Sequence, residues 1–151
     1  MLKLFVALAA AVFTLVLTPV AHAQERTTFV AQLSAENEVP GCPAGVESGA
    51  NGVAIIQIDA ATGEISYRVV ATNLPGTIAG SPGAHIHVGA AGEMGPVVEP
   101  LVLTGLNSGL VAEGTGTDEA LAAAILADPA NYYVNVHTTV CPDGAVRGQL
   151  G

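Results

Sequence analysis

Ala84-His85-Ile86-His87-Val88 alternates small or branched apolar residues with histidines. A period of two is the pattern of a half-buried β-strand, because successive side chains point to opposite faces. Ala84, Ile86 and Val88 then share an apolar face, and His85 and His87 stand together on the other. The chain repeats the arrangement in Tyr132-Tyr133-Val134-Asn135-Val136-His137-Thr138. There Tyr132, Val134 and Val136 face the core, while Tyr133, Asn135 and His137 face away. If the two strands are neighbours, the imidazoles of His85, His87 and His137 converge.

Outward from this pair, short runs of alternating or apolar residues recur between Gly- and Pro-rich turns. Thr27 to Leu33, Val53 to Ile58, Glu64 to Ala71, Ser108 to Thr115 and Ala145 to Leu150 read as strands. Val97 to Leu103 is apolar too, but Pro100 restricts it to an edge, a bulge or two short pieces. Ser34 to Gly52 is polar and reads as a long loop of the kind usually functional or tied down. One helix is expected at Ala120 to Ala127, with Thr117 as its cap, Asp118 and Glu119 in its first turn, and Pro129 beyond its end. About eight short strands with turns between them predict an all-β fold, an antiparallel Greek-key-like sandwich with one short helix.

The N-terminus has a different character. Met1-Leu2-Lys3 is followed by a nearly unbroken apolar run from Leu4 to Val20 and by the small-x-small triplet Ala21-His22-Ala23. Residues 1–23 therefore read as a secretory signal peptide, leaving residues 24–151 as one domain. The protein is expected in a periplasm or outside the cell, with no membrane insertion after cleavage. The whole chain carries a formal charge of −9. Removal of Lys3 leaves Arg26, Arg68 and Arg147 against thirteen acids. Such a surface repels nucleic acid and anionic membranes and attracts cations. Export makes a disulfide between Cys42 and Cys141 plausible, each cysteine lying beside a proline in a turn-like segment.

The chain resembles the CHRD domain, the module named after chordin and also found alone in bacterial secreted proteins. The likeness is carried by Phe29-Val30-Ala31-Gln32-Leu33 with Glu36-Asn37-Glu38-Val39-Pro40, and by Ala84-His85-Ile86-His87-Val88-Gly89 with Gly95-Pro96-Val97-Val98. Tyr133-Val134-Asn135-Val136-His137-Thr138 and Pro142-Asp143-Gly144-Ala145-Val146-Arg147-Gly148-Gln149-Leu150 complete it. The resemblance implies a fold more than a chemistry. A His-x-His strand with a distant third histidine is also similar to the copper site of Cu/Zn superoxide dismutases, an analogy without that family's zinc loop or arginine pattern.

Three neutral imidazoles on one sheet face suit Cu(II) or Zn(II). Copper is favoured by the Irving–Williams order and by an oxidising compartment. His85, His87 and His137 are the candidate ligands, with Met94, Glu36 or Glu38 available to add a donor. Glu38 and Arg147 are candidates for a salt bridge near this patch. Hydrolytic chemistry has little support: Ser34, Ser48, Ser66, Ser81 and Ser108 lack a nucleophile-elbow context, and no phosphate-binding glycine loop precedes a helix. The leading expectation is an exported protein that binds a transition metal, copper before zinc. The alternatives are a non-catalytic module whose histidine and acid face meets a protein or matrix partner, and a copper-dependent redox enzyme resembling superoxide dismutase.

Overall fold

The structure, a computed structural model, describes residues 25–46, 48–80 and 83–151. The expected signal peptide and Ser81 lie outside the described residues. Eight strands form in the order β1 (Arg26–Ser34), β2 (Asn51–Asp59), β3 (Glu64–Thr72), β4 (Ala84–Val88), β5 (Val97–Pro100), β6 (Gly109–Thr117), β7 (Tyr132–Val136) and β8 (Val146–Gln149). Among the described residues one α-helix, α1 (Glu119–Ala127), lies between β6 and β7. The strands make a single sheet in the order β5-β4-β7-β8-β1-β2-β3-β6, antiparallel at every pairing. The expected all-β antiparallel class holds: one sheet, curled around one core, does the work of a sandwich.

Alternation fixes which residues meet in that core. Ala31 and Leu33 of β1, Ala54, Ile56 and Ile58 of β2, and Ile65, Tyr67, Val69 and Ala71 of β3 are all buried. Ala84 and Ile86 of β4 join Val134 and Val136 of β7 and Val146 of β8. A one-residue slip would turn every one of these outward, so the pattern also sets the register. Tyr67 carries the one polar tip in this group that has to reach a partner, and its hydroxyl accepts from the Val102 amide at 2.9 Å.

Pro100 does divide its run into two pieces. β5 stops there, opposite His85 of β4. The chain then crosses to the other end of the sheet. Leu103 bridges Ala112 of β6, the Thr104 amide donates to the Val111 carbonyl at 3.0 Å, and the Glu113 amide donates to Val102 at 3.1 Å. One short segment thus ties both ends of the sheet together.

The helix cap differs from expectation. Asp118, not Thr117, caps α1, its carboxylate accepting from the Leu121 amide at 2.9 Å. Thr117 is the last residue of β6 and pairs with Glu64, so its backbone is committed to the ladder. Pro129 opens a short 3₁₀ turn instead of continuing the helix. Leu121, Ala122 and Ile125 bury the inner face of α1 against the sheet.

The polar loop between β1 and β2 is fastened by the disulfide Cys42–Cys141, which spans a sequence separation of 99. Its other end is the turn between β7 and β8. That staple, with the β4–β7 pairing, brings three loops over the histidine-bearing face.

Candidate metal centre

β4 and β7 are hydrogen-bonded neighbours, with His85 opposite Asn135 and His87 opposite Tyr133. His137 follows β7 directly, and its amide donates to the Gly83 carbonyl at 2.8 Å, prolonging the pairing by one step. The alternation read from the two segments therefore brings all three imidazoles to one face. One ring nitrogen from each lies within 4.8 Å of the others. The ring centroids of His85 are 5.2 Å from His87 and 4.9 Å from His137, both edge to face. His85 and His87 are 4% and 8% exposed, and His137 is half-buried.

Two of the rings are oriented by backbone carbonyls. Nδ1 of His87 lies 2.9 Å from the Gly95 oxygen, and Nδ1 of His137 lies 2.9 Å from the Pro142 oxygen. A carbonyl oxygen only accepts, so each Nδ1 carries the proton and each Nε2 presents a lone pair in the neutral ring. Those two Nε2 atoms are buried with no hydrogen-bond partner. Burial lowers the pKa of both imidazoles. For His87 the other histidine and Arg147 add to the effect, against the Gly95 bond; for His137 the Pro142 bond and Asp143 oppose it. Neutral rings with bare, inward Nε2 atoms are the form in which histidine binds a metal.

A second layer holds this arrangement in place. The His87 ring stacks on Tyr133 at 4.7 Å and 9°, and the Arg147 guanidinium carbon lies 3.5 Å from the centre of the same Tyr133 ring. Arg147 is 2% exposed. Its nitrogens donate to the carbonyls of Glu93 (2.6 Å) and Ala90 (2.7 Å) and to Oε1 of Gln149 (3.1 Å). Gln149 in turn donates to the Gly89 and Ala130 carbonyls at 3.0 and 2.7 Å. Arg147 and Gln149 together pin the 89–96 loop, which supplies the carbonyl that orients His87. The Gly95 amide also donates to the Tyr133 hydroxyl at 3.1 Å.

The expected Glu38–Arg147 salt bridge is not formed. The two ion pairs among the described residues are Arg26–Glu64 and Arg68–Glu113. Arg147 is taken by loop carbonyls, while both carboxylate oxygens of Glu38 accept from Nδ2 of Asn135 at 3.1 and 3.0 Å. Carbonyl acceptors compete well for a buried guanidinium because they satisfy its fork without burying a second charge. Glu36 and Glu38 lie outside the convergent group as well. Met94 is 69% exposed, Glu36 is exposed, and the convergent set consists of the three histidines. Sequence reading missed the orienting carbonyls of Gly95 and Pro142 and the Tyr133 stack. Both carbonyls belong to turns rich in Gly and Pro, which gave the one available signal.

Gly95 is a sensitive point. A Cβ built there would overlap the Val88 carbonyl oxygen, a backbone atom with no freedom to move aside. Gly95→Ala is expected to cost about 2–3 kcal/mol, in line with overpacking at a rigid site. It should also displace the carbonyl from His87. A thermal melt measures the first effect; loss of the slowly exchanging His87 Nδ1 proton in NMR measures the second.

A CHRD-domain family profile matches residues 29–150. The chain belongs to the CHRD family. CHRD domains are extracellular modules, and the Cys42–Cys141 bond fits an oxidising setting. No helix among the described residues is long and apolar enough to cross a membrane. No curated protein and no solved structure matches this CHRD chain significantly. Its three-histidine group can hold a metal ion.

Proposed function

We propose that this CHRD protein is exported to a periplasm or the extracellular space and binds a transition metal, copper in preference to zinc, through His85, His87 and His137. The observation that carries the reading is the pair of buried Nε2 atoms on His87 and His137 that lack any partner. Leaving a buried acceptor unsatisfied costs about 1–3 kcal/mol, and two such atoms aimed into one cluster imply an occupant that satisfies both. Carbonyl-fixed tautomers supply the remaining requirement of a histidine metal site. Copper stands above zinc for nitrogen donors. The acidic surface adds a general attraction for cations.

Equilibrium dialysis with copper and with zinc tests the reading. Copper is supplied both as Cu(II) and, without oxygen, as Cu(I) in its acetonitrile complex, so that no thiol reductant reaches the disulfide. The expected result is one equivalent bound by the native chain and at least a hundredfold weaker binding by the His85→Ala/His87→Ala double variant. Equal uptake by both proteins removes the ligand assignment. A superoxide turnover assay on the loaded protein separates simple binding from redox catalysis.

A further inference from the structure

We infer that the three-histidine site selects monovalent over divalent metal, that is, Cu(I) over Cu(II) and Zn(II). This rests on the metal-binding reading above and concerns the charge the site can accept.

The ligand set is neutral: among the described residues, three imidazoles converge with no carboxylate or thiolate beside them. The solvation lost on burying an ion grows with the square of its charge, so a dication is penalised about four times as heavily as a monocation unless anions compensate it. Close to the site the buried groups do not compensate, and the acidic surface acts only through solvent that screens it. Arg147 lies 3.5 Å from the Tyr133 ring centre and His87 lies 4.7 Å from it, so the guanidinium charge is at most about 8 Å from the His87 imidazole. Across roughly 10–12 Å of protein at an effective dielectric near 20, that one charge disfavours a dication over a monocation by about tenfold. Of the nearby acids, Glu38 is 8% exposed and engaged with Asn135, and its burial keeps it protonated at neutral pH. Asp143 acts on His137 but is exposed, where solvent screens it.

The oxidising compartment that favours Cu(II) in bulk solution governs supply; the charge balance of the pocket governs selection.

Competition titrations give the test. Cu(I) is titrated anaerobically against a chromophoric Cu(I) chelator, and Cu(II) and Zn(II) against nitrilotriacetate. The native protein should bind Cu(I) at least tenfold more tightly than Cu(II), with Zn(II) weaker still. Arg147→Gln should reduce the Cu(I)/Cu(II) affinity ratio about tenfold, while Arg147→Lys, which keeps the charge, should preserve it. Mere structural damage would lower both affinities together and leave the ratio unchanged. Asp143→Asn, a surface change with little risk to folding, should raise the ratio two- to threefold and decides the matter if the Arg147 variants do not fold. Cu(II) or Zn(II) bound as tightly as Cu(I) would overturn this inference and leave the metal site standing. Failure to bind any of the three ions would overturn both.

Discussion

Replacing Cys42 and Cys141 by serine should lower the stability of the protein by about 4–5 kcal/mol. The bond closes a loop with a sequence separation of 99, and the chain-entropy relation for a loop of about 100 residues gives that figure. For a domain of this size the melting temperature should fall by about 15 °C. The effect belongs mainly to the unfolded chain, because the turn around Cys141 keeps its own hydrogen bonds. The Thr138 amide donates to the Cys141 carbonyl at 3.1 Å, the Cys141 amide to Oγ1 of Thr138 at 3.0 Å, and the Gly144 amide to the Cys141 carbonyl at 3.2 Å. The variant should therefore fold, with the loop between β1 and β2 released. Urea unfolding of the double variant beside the native protein measures the difference. A loss below about 1 kcal/mol would mean that the loop is held by its packing and that the bond is dispensable.

The second large effect is a stability that declines from mildly acidic to mildly basic pH, abolished by Glu38→Gln. Burial raises the Glu38 pKa from 4.5 to about 8, against the opposing pull of the Asn135 hydrogen bonds and Arg147. The buried Glu38 carboxyl is therefore protonated in the folded protein at neutral pH. The folded protein then holds this proton up to about pH 8 and the unfolded chain only to about pH 4.5. Between those values folding takes up a proton, so stability falls as pH rises, by up to about 1.4 kcal/mol per unit. Below pH 4.5 both states are protonated and the full stability is present; above pH 8 both are ionised and the loss is complete. His87 and His137, with lowered pKa values, have the opposite slope, confined to pH below 6.5. In denaturation midpoints between pH 6.5 and 8 the difference between native protein and variant isolates Glu38, since Glu99, also raised by burial and by Asp118, acts on both alike. The native protein should lose about 1–2 kcal/mol more across that interval than the Glu38→Gln variant. A parallel decline in both would assign the slope to another group.

The histidine-bearing strands were legible because a period of two survives at both of them: Ala84, Ile86, Val134 and Val136 reach the core, and the three imidazoles share the other face. The helix was legible from its alanines and Pro129, though its cap lies one residue later than expected. What sequence concealed was the behaviour of Arg147. Charge suggests a carboxylate partner, and Glu38 is close enough to act on as a charge. Yet the guanidinium takes the Ala90 and Glu93 carbonyls, and backbone acceptors carry no mark in a string of side chains. The same blindness hid Gly95 and Pro142 as the groups that orient His87 and His137. The site's donors were readable; the scaffold that aims them consists of main-chain atoms and was not.

The crossing of the chain after Pro100 has a consequence for self-association. Val97–Pro100 lies along β4, and the next few residues lie along the middle of β6, so the β4 margin and the centre of the β6 margin are occupied by this molecule's own backbone. Polymerisation by strand addition needs a run of vacant amide and carbonyl groups as its template. A single proline, where one strand leaves the first margin for the last, withholds part of that template.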